Sequence, residues 1–65
     1  MKITLAAARV NAGLSQREAA EKIGVTRNTV QNWESYKTSP DANAILRICE
    51  AYDVSMNNLI FSPKS

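Results

Sequence analysis

Nothing in this chain can staple it together. Among 65 residues there is one cysteine, Cys49, and no histidine, so an internal disulfide is impossible and the commonest metal ligand is absent. The fold must rest on buried side chains alone. A chain of 7.2 kDa exposes about 4,100 Å² when folded against about 10,400 Å² unfolded, which buries roughly 60% of its surface and leaves room for one small domain. The lone cysteine fits a reducing cytoplasm better than a secretory route. In MKITLAAARVNAG the apolar run is broken by Arg9 and Asn11 before it could serve as a signal-peptide core. Nothing approaches the ~20 apolar residues of a membrane span. Without histidine, without paired carboxylates that have a reason to be buried together, and with only two glycines, the chain lacks the parts of a catalytic site or a phosphate-cradling loop. No cofactor, metal or small-molecule ligand is expected.

Glycine, proline and capping residues cut the sequence into short pieces, each at helical period. Ile3 to Asn11 places Ile3, Ala6, Ala7 and Val10 at spacings of three and four, with Gly13 as a left-handed stop. Ser15 with Glu18 three residues on is a capping box for a second helix with the apolar face Ala19, Ala20 and Ile23, ended by Gly24. Thr26 opens a third helix from Arg27 to about Glu34. Ser39 and Pro40 read as the cap and first residue of a fourth helix, ending near Asp53, with Ile45, Leu46, Ile48, Cys49 and Tyr52 at core spacing. Ser55 caps a last short helix carrying Met56, Leu59 and Ile60, and the tail frays after Phe61. The expected fold is all-α, a compact bundle of five short helices. Residues 1–61 form one domain, and 62–65 form a frayed tail.

The third helix carries the functional signal. At 100° per residue, with Arg27 at about 0°, Gln31 falls near 40°, Asn28 near 100° and Asn32 near 140°, whereas Trp33 and Val30 fall near 240° and 300°. The outward strip holds no Lys or Glu, the residues that an ordinary solvated helix face prefers. Arg can give two hydrogen bonds to guanine O6 and N7, and Asn and Gln can pair with adenine N6 and N7, so these side chains suit the major groove of duplex DNA. On residue types alone, a chance polar face fits as well. Trp33 points away from the strip and reads as a core anchor rather than a base-stacking platform. Cys49, on the core face of the fourth helix, reads as an inert buried thiol. The net charge is +2, and its excess lies between Arg9 and Lys37, where five basic residues face three acidic ones.

The run from Gln16 to Glu34, with Ser15-Gln16 opening its first helix, Ala20 where two helices must touch, Gly24-Val25 in the turn, Val30 inside and Trp33-Glu34 at the end, resembles the helix-turn-helix of the phage repressor and Cro family. The likeness continues through Lys37-Thr38-Ser39-Pro40, Ile45-Leu46, Ile48, Ala51, Val54-Ser55 and Leu59, and places the motif at about residues 15–35. It implies a sequence-specific regulator of transcription that binds a palindromic operator as a weak homodimer, with a half-site spacing of about 34 to 36 Å.

Carried over by position, the resemblance makes Arg27, Asn28 and Asn32 base readers, joined by Gln31 on the same strip. Ser15 and Gln16 become phosphate contacts at a helix N-terminus, and Lys37, Thr38 and Ser39 a second backbone clamp. It also implies an ion pair between Arg9 and Glu34 that presents Arg9 near a phosphate. Met56, Ile60 and Phe61 are left for dimerisation, with Leu59 assigned to the core. Tyr36 and Asp53 stand where this family most often has glycine, which predicts a different path for the loop from Ser35 to Ser39. Such a chain is either a whole Cro-type regulator or one domain of a longer repressor, cytoplasmic and associated with the nucleoid when bound. The competing reading is a helical protein-interaction module that keeps the fold without binding DNA, which the small net charge favours.

Overall fold

Every helix of the computed structural model, which describes residues 2–61, is opened by a side chain that answers its orphan amides. Thr4 accepts from Ala7 N to start α1 (Leu5–Asn11). Ser15 accepts from Glu18 N at 3.0 Å while Glu18 accepts from Ser15 N at 2.8 Å, the reciprocal box that starts α2 (Gln16–Ile23). Thr26 starts α3 (Arg27–Glu34) and Asp41 starts α4 (Ala42–Tyr52). The expected limits of α2 and α3 are the observed ones. The fourth helix begins two residues later than the Ser39-Pro40 reading, because the Asp41 carboxylate accepts from Ala44 N at 2.8 Å; Pro40 is buried just before it.

The helices also end alike. Gly13, Gly24, Tyr36 and Asp53, the positive-φ residues of the described chain, each follow one helix. The residue after each sends its amide back to a carbonyl in the last turn: Leu14 to Arg9, Val25 to Ala20, Lys37 to Asn32 and Val54 to Cys49. Tyr36 and Asp53 adopt φ 64° and 53°, so the loop after α3 keeps the left-handed turn that glycine would make. The expected detour is overturned. Two amides supply the reason: Tyr36 N donates to Trp33 O at 3.2 Å and Lys37 N to Asn32 O at 2.9 Å.

The fifth α-helix is absent among the described residues. Met56–Asn58 form one 3₁₀ turn, followed by β2 (Leu59–Ile60), which pairs in parallel with β1 (Ile3–Thr4) in the register Ile3 with Leu59 and Thr4 with Ile60. The fold is thus mostly helical rather than all-α, with the two ends of the domain joined by a strand pair. The expected fraying of 62–65 lies outside the described residues.

Leu5, Ala8, Ala19, Ile23, Trp33, Ile48, Tyr52 and Leu59 form the core, and the folded surface of 4254 Å² matches the area expected from size. Two faces turn otherwise than the sequence suggests. On α1 the buried residues are Leu5 and Ala8, while Val10 is 62% exposed; the run Leu5 to Ala8 is apolar on every side, so its periodicity selects no face. On α4, Ile48 and Tyr52 are buried, Ile45 and Cys49 are half-buried, and Leu46 is 66% exposed. No described helix is long and apolar enough to cross a membrane.

Candidate nucleic-acid interface

The outer strip of α3 lies opposite the helix's buried side. Arg27, Asn28 and Gln31 are exposed and Asn32 is half-buried, and none of the four side chains makes a hydrogen bond among the described residues. Val30 and Trp33, on the opposite side, are buried and set the strip's direction. The strip also carries a local cost. Arg27 occupies the first turn, where the helix dipole disfavours a cation, and that turn holds no acidic residue.

A bracket beneath the strip holds α3 in place. Arg9 Nε donates to Glu34 Oε2 at 2.7 Å and Arg9 Nη2 to Oε1 at 3.4 Å, while Gln16 Nε2 donates to the same Oε1 at 3.0 Å. One carboxylate at the end of α3 therefore ties together α1, the start of α2 and α3. Arg9 is pinned further, because its Nη1 donates to Leu14 O at 2.8 Å. With side chains only 14% and 9% exposed for Arg9 and Glu34, the pair is held largely out of water. The implied Arg9 to Glu34 pair is thus present, and three of the guanidinium's donors are engaged within the protein. Neither the carbonyl of Leu14 nor the share taken by Gln16 could be read from residue types.

Electrostatics around the bracket follow from burial. The Tyr52 hydroxyl is pushed up to about 12 by burial first, then by the Glu34 carboxylate, with Arg9 acting in the opposite direction. Ser15 hydrogen bonds, from its amide first, hold the Glu18 carboxyl below its ordinary value and so favour the ionised form at the start of α2. Burial raises the Cys49 thiol, which suits its reading as inert, although the side chain is half-buried rather than fully enclosed.

Of the remaining candidates, Ser15 is exposed and Gln16 half-buried at the N-terminus of α2, and Lys37, Thr38 and Ser39 are exposed after α3. The amides of Lys37 and Thr38 both turn back to Asn32 O, at 2.9 and 3.4 Å, so these two residues can offer a partner only their side chains. Arg17 escaped the sequence reading. It is exposed in the first turn of α2 beside Gln16 and has no ion-pair partner among the described residues. A cation placed against the helix dipole was the signal that could have found it.

The apolar residues assigned to dimerisation separate in the structure. Met56 is 52% exposed, but Ile60 is half-buried in the strand pair and Phe61 packs against the core. Leu46, expected at core spacing, is instead the most exposed large apolar side chain among the described residues and borders a shallow groove with Cys49 and Val54. Trp33, as expected, faces the core, and its ring lines a cleft of about 410 Å³ with Ile23, Val25, Pro40 and Arg47.

A family model described as helix-turn-helix matches residues 5–59. Among curated proteins, the chain is similar to the HTH-type transcriptional regulator ImmR of Bacillus subtilis (strain 168), with 38% identity over 53 residues, which make up 82% of this chain and 42% of that protein. The match therefore spans less than half the length of that relative. No solved structure gives a significant match.

Proposed function

The chain belongs to the XRE-type helix-turn-helix family, and from that premise we propose that it is a DNA-binding regulator of transcription that lays α3 in the major groove of an operator. The observation that carries this reading is the strip of Arg27, Asn28, Gln31 and Asn32, whose side chains make no hydrogen bond among the described residues, on a helix whose end is tied down by Arg9, Glu34 and Gln16. Exposed amides and a guanidinium on one helix face match the donor and acceptor pattern of base edges. Phosphates flank the groove, and Ser15, Gln16 and Arg17 on one side and Lys37, Thr38 and Ser39 on the other supply polar contacts to them. Arg9 contributes chiefly by holding α3, with its remaining donors available to a nearby phosphate. Occupancy of the operator, as in Cro-type regulators, is the mechanism, and a second copy on the other half-site doubles the sequence read.

Selection of bound sites from random duplexes tests the reading, because it returns base preference and symmetry together. Arg27→Ala is expected to lose about 1–3 kcal/mol and relax preference at one base position, while Lys37→Ala weakens all sequences alike and lowers the salt slope by about 1. Equal effects of the two changes on every sequence would contradict the assigned roles. No binding to random duplex DNA even at about 50 mM salt would favour the protein-interaction module instead.

A further inference from the structure

The end of α3 differs from the other helix ends in both of its defining positions. Left-handed termini are occupied by glycine after α1 and α2 and by the small, exposed Asp53 after α4, residues that tolerate positive φ. After α3 the same conformation is forced on Tyr36. The residue that follows differs as well. Leu14, Val25 and Val54 pack against the core, whereas Lys37 is exposed. A strained position held by an aromatic residue beside the candidate interface is where a side chain with work outside the protein belongs.

We infer that Tyr36 is a DNA-backbone contact, its phenol O–H donating to a phosphate oxygen next to the phosphate taken by Lys37. The inference rests on the reading of α3 as the helix that enters the groove. The hydroxyl has no hydrogen-bond partner among the described residues, and no polar side-chain atom there is buried without one, so this half-buried side chain keeps its oxygen open to solvent. The turn is folded back under Asn32, whose carbonyl receives the amides of both Lys37 and Thr38, which sets Tyr36 and Lys37 at the end of the base-reading strip. With those amides and that of Tyr36 consumed by α3, a grip on a phosphate by Tyr36, Lys37 or Thr38 must come from their side chains. Ser35 to Ser39 contain no acidic residue to repel it, and tyrosine hydroxyls are ordinary phosphate donors.

Binding of the whole chain to a random-sequence duplex of about 30 base pairs at about 50 mM salt tests this without knowledge of the operator, since such binding reads backbone contacts alone. Tyr36→Phe keeps the ring and the fold, and is expected to raise Kd about three- to tenfold. Base preference is unchanged, and so is the salt slope, because no charge is lost. Tyr36→Gly relieves the strained backbone and weakens binding at least as much while thermal unfolding confirms a folded chain. Wild-type Kd values in both folded variants would overturn the role of Tyr36 yet leave the proposed function standing if Arg27→Ala still relaxes base preference. Failure of the unaltered chain to bind any duplex would overturn both.

Discussion

Tyr52 closes the core at the last turn of α4, and its ionisation is linked to folding. Its hydroxyl titrates at about 12 in the folded chain against 10.0 as the ordinary value, so the folded state favours the neutral form. The stability this represents is fully present below about pH 10 and is lost as pH rises towards about 12, by up to about 1.4 kcal/mol per pH unit. Alkaline unfolding followed by circular dichroism is expected to steepen in that window and to flatten in Tyr52→Phe; identical profiles would mean that another group drives the transition. The same scale explains why residue identity misled at Tyr36. A left-handed non-glycine residue costs about 1–2 kcal/mol, but two cap hydrogen bonds at about 0.5–1.5 kcal/mol each offset it. The hydrogen-bonding needs of the helix end decided the backbone path, and the side chain followed.

Among the elements, α3 is packed through Val30 and Trp33, and its end is tied to α1 and α2 by a single carboxylate. Glu34→Ala leaves the Nε of Arg9 and the amide of Gln16 without their acceptor. Because the pair is largely out of water, the expected loss is about 1–3 kcal/mol, above the 0–1 kcal/mol of an exposed pair and below that of a fully buried one. For a domain of this size, thermal unfolding should fall by about 4–8 °C per kcal/mol; a change under about 2 °C would reduce the bracket to an ordinary surface pair. The limits of α2 and α3 were legible because capping residues act within one turn of the backbone they satisfy. The faces of α1 and α4 were not. Where apolar residues surround a helix, the buried side is chosen by what packs there, and β2 with Leu59 draws in Ile3 by pairing, which no helical period anticipates.

The whole molecule spans only 26 × 23 × 20 Å between Cα extremes. On the proposed reading two half-sites lie about 34 Å apart, more than the longest extent of one copy, so the contact expected between two copies is small, below the size of stable complexes. Sedimentation is therefore expected to give a monomer at micromolar concentration without DNA and two copies on a selected duplex. A stable dimer in free solution would point to a larger contact, with Leu46 and Met56 the first residues to change. The sequence by itself determined the helix limits around the turn, the caps and the composition of the polar strip, because those signals are satisfied by neighbours within a few residues. Only the tertiary structure decided that Val10 and Leu46 lie outside, that Ile3–Thr4 and Leu59–Ile60 pair as strands, and that Leu14 and Gln16 complete the bracket around Arg9 and Glu34. Each of these depends on which surfaces meet, and such meetings are set by packing among segments far apart in the chain.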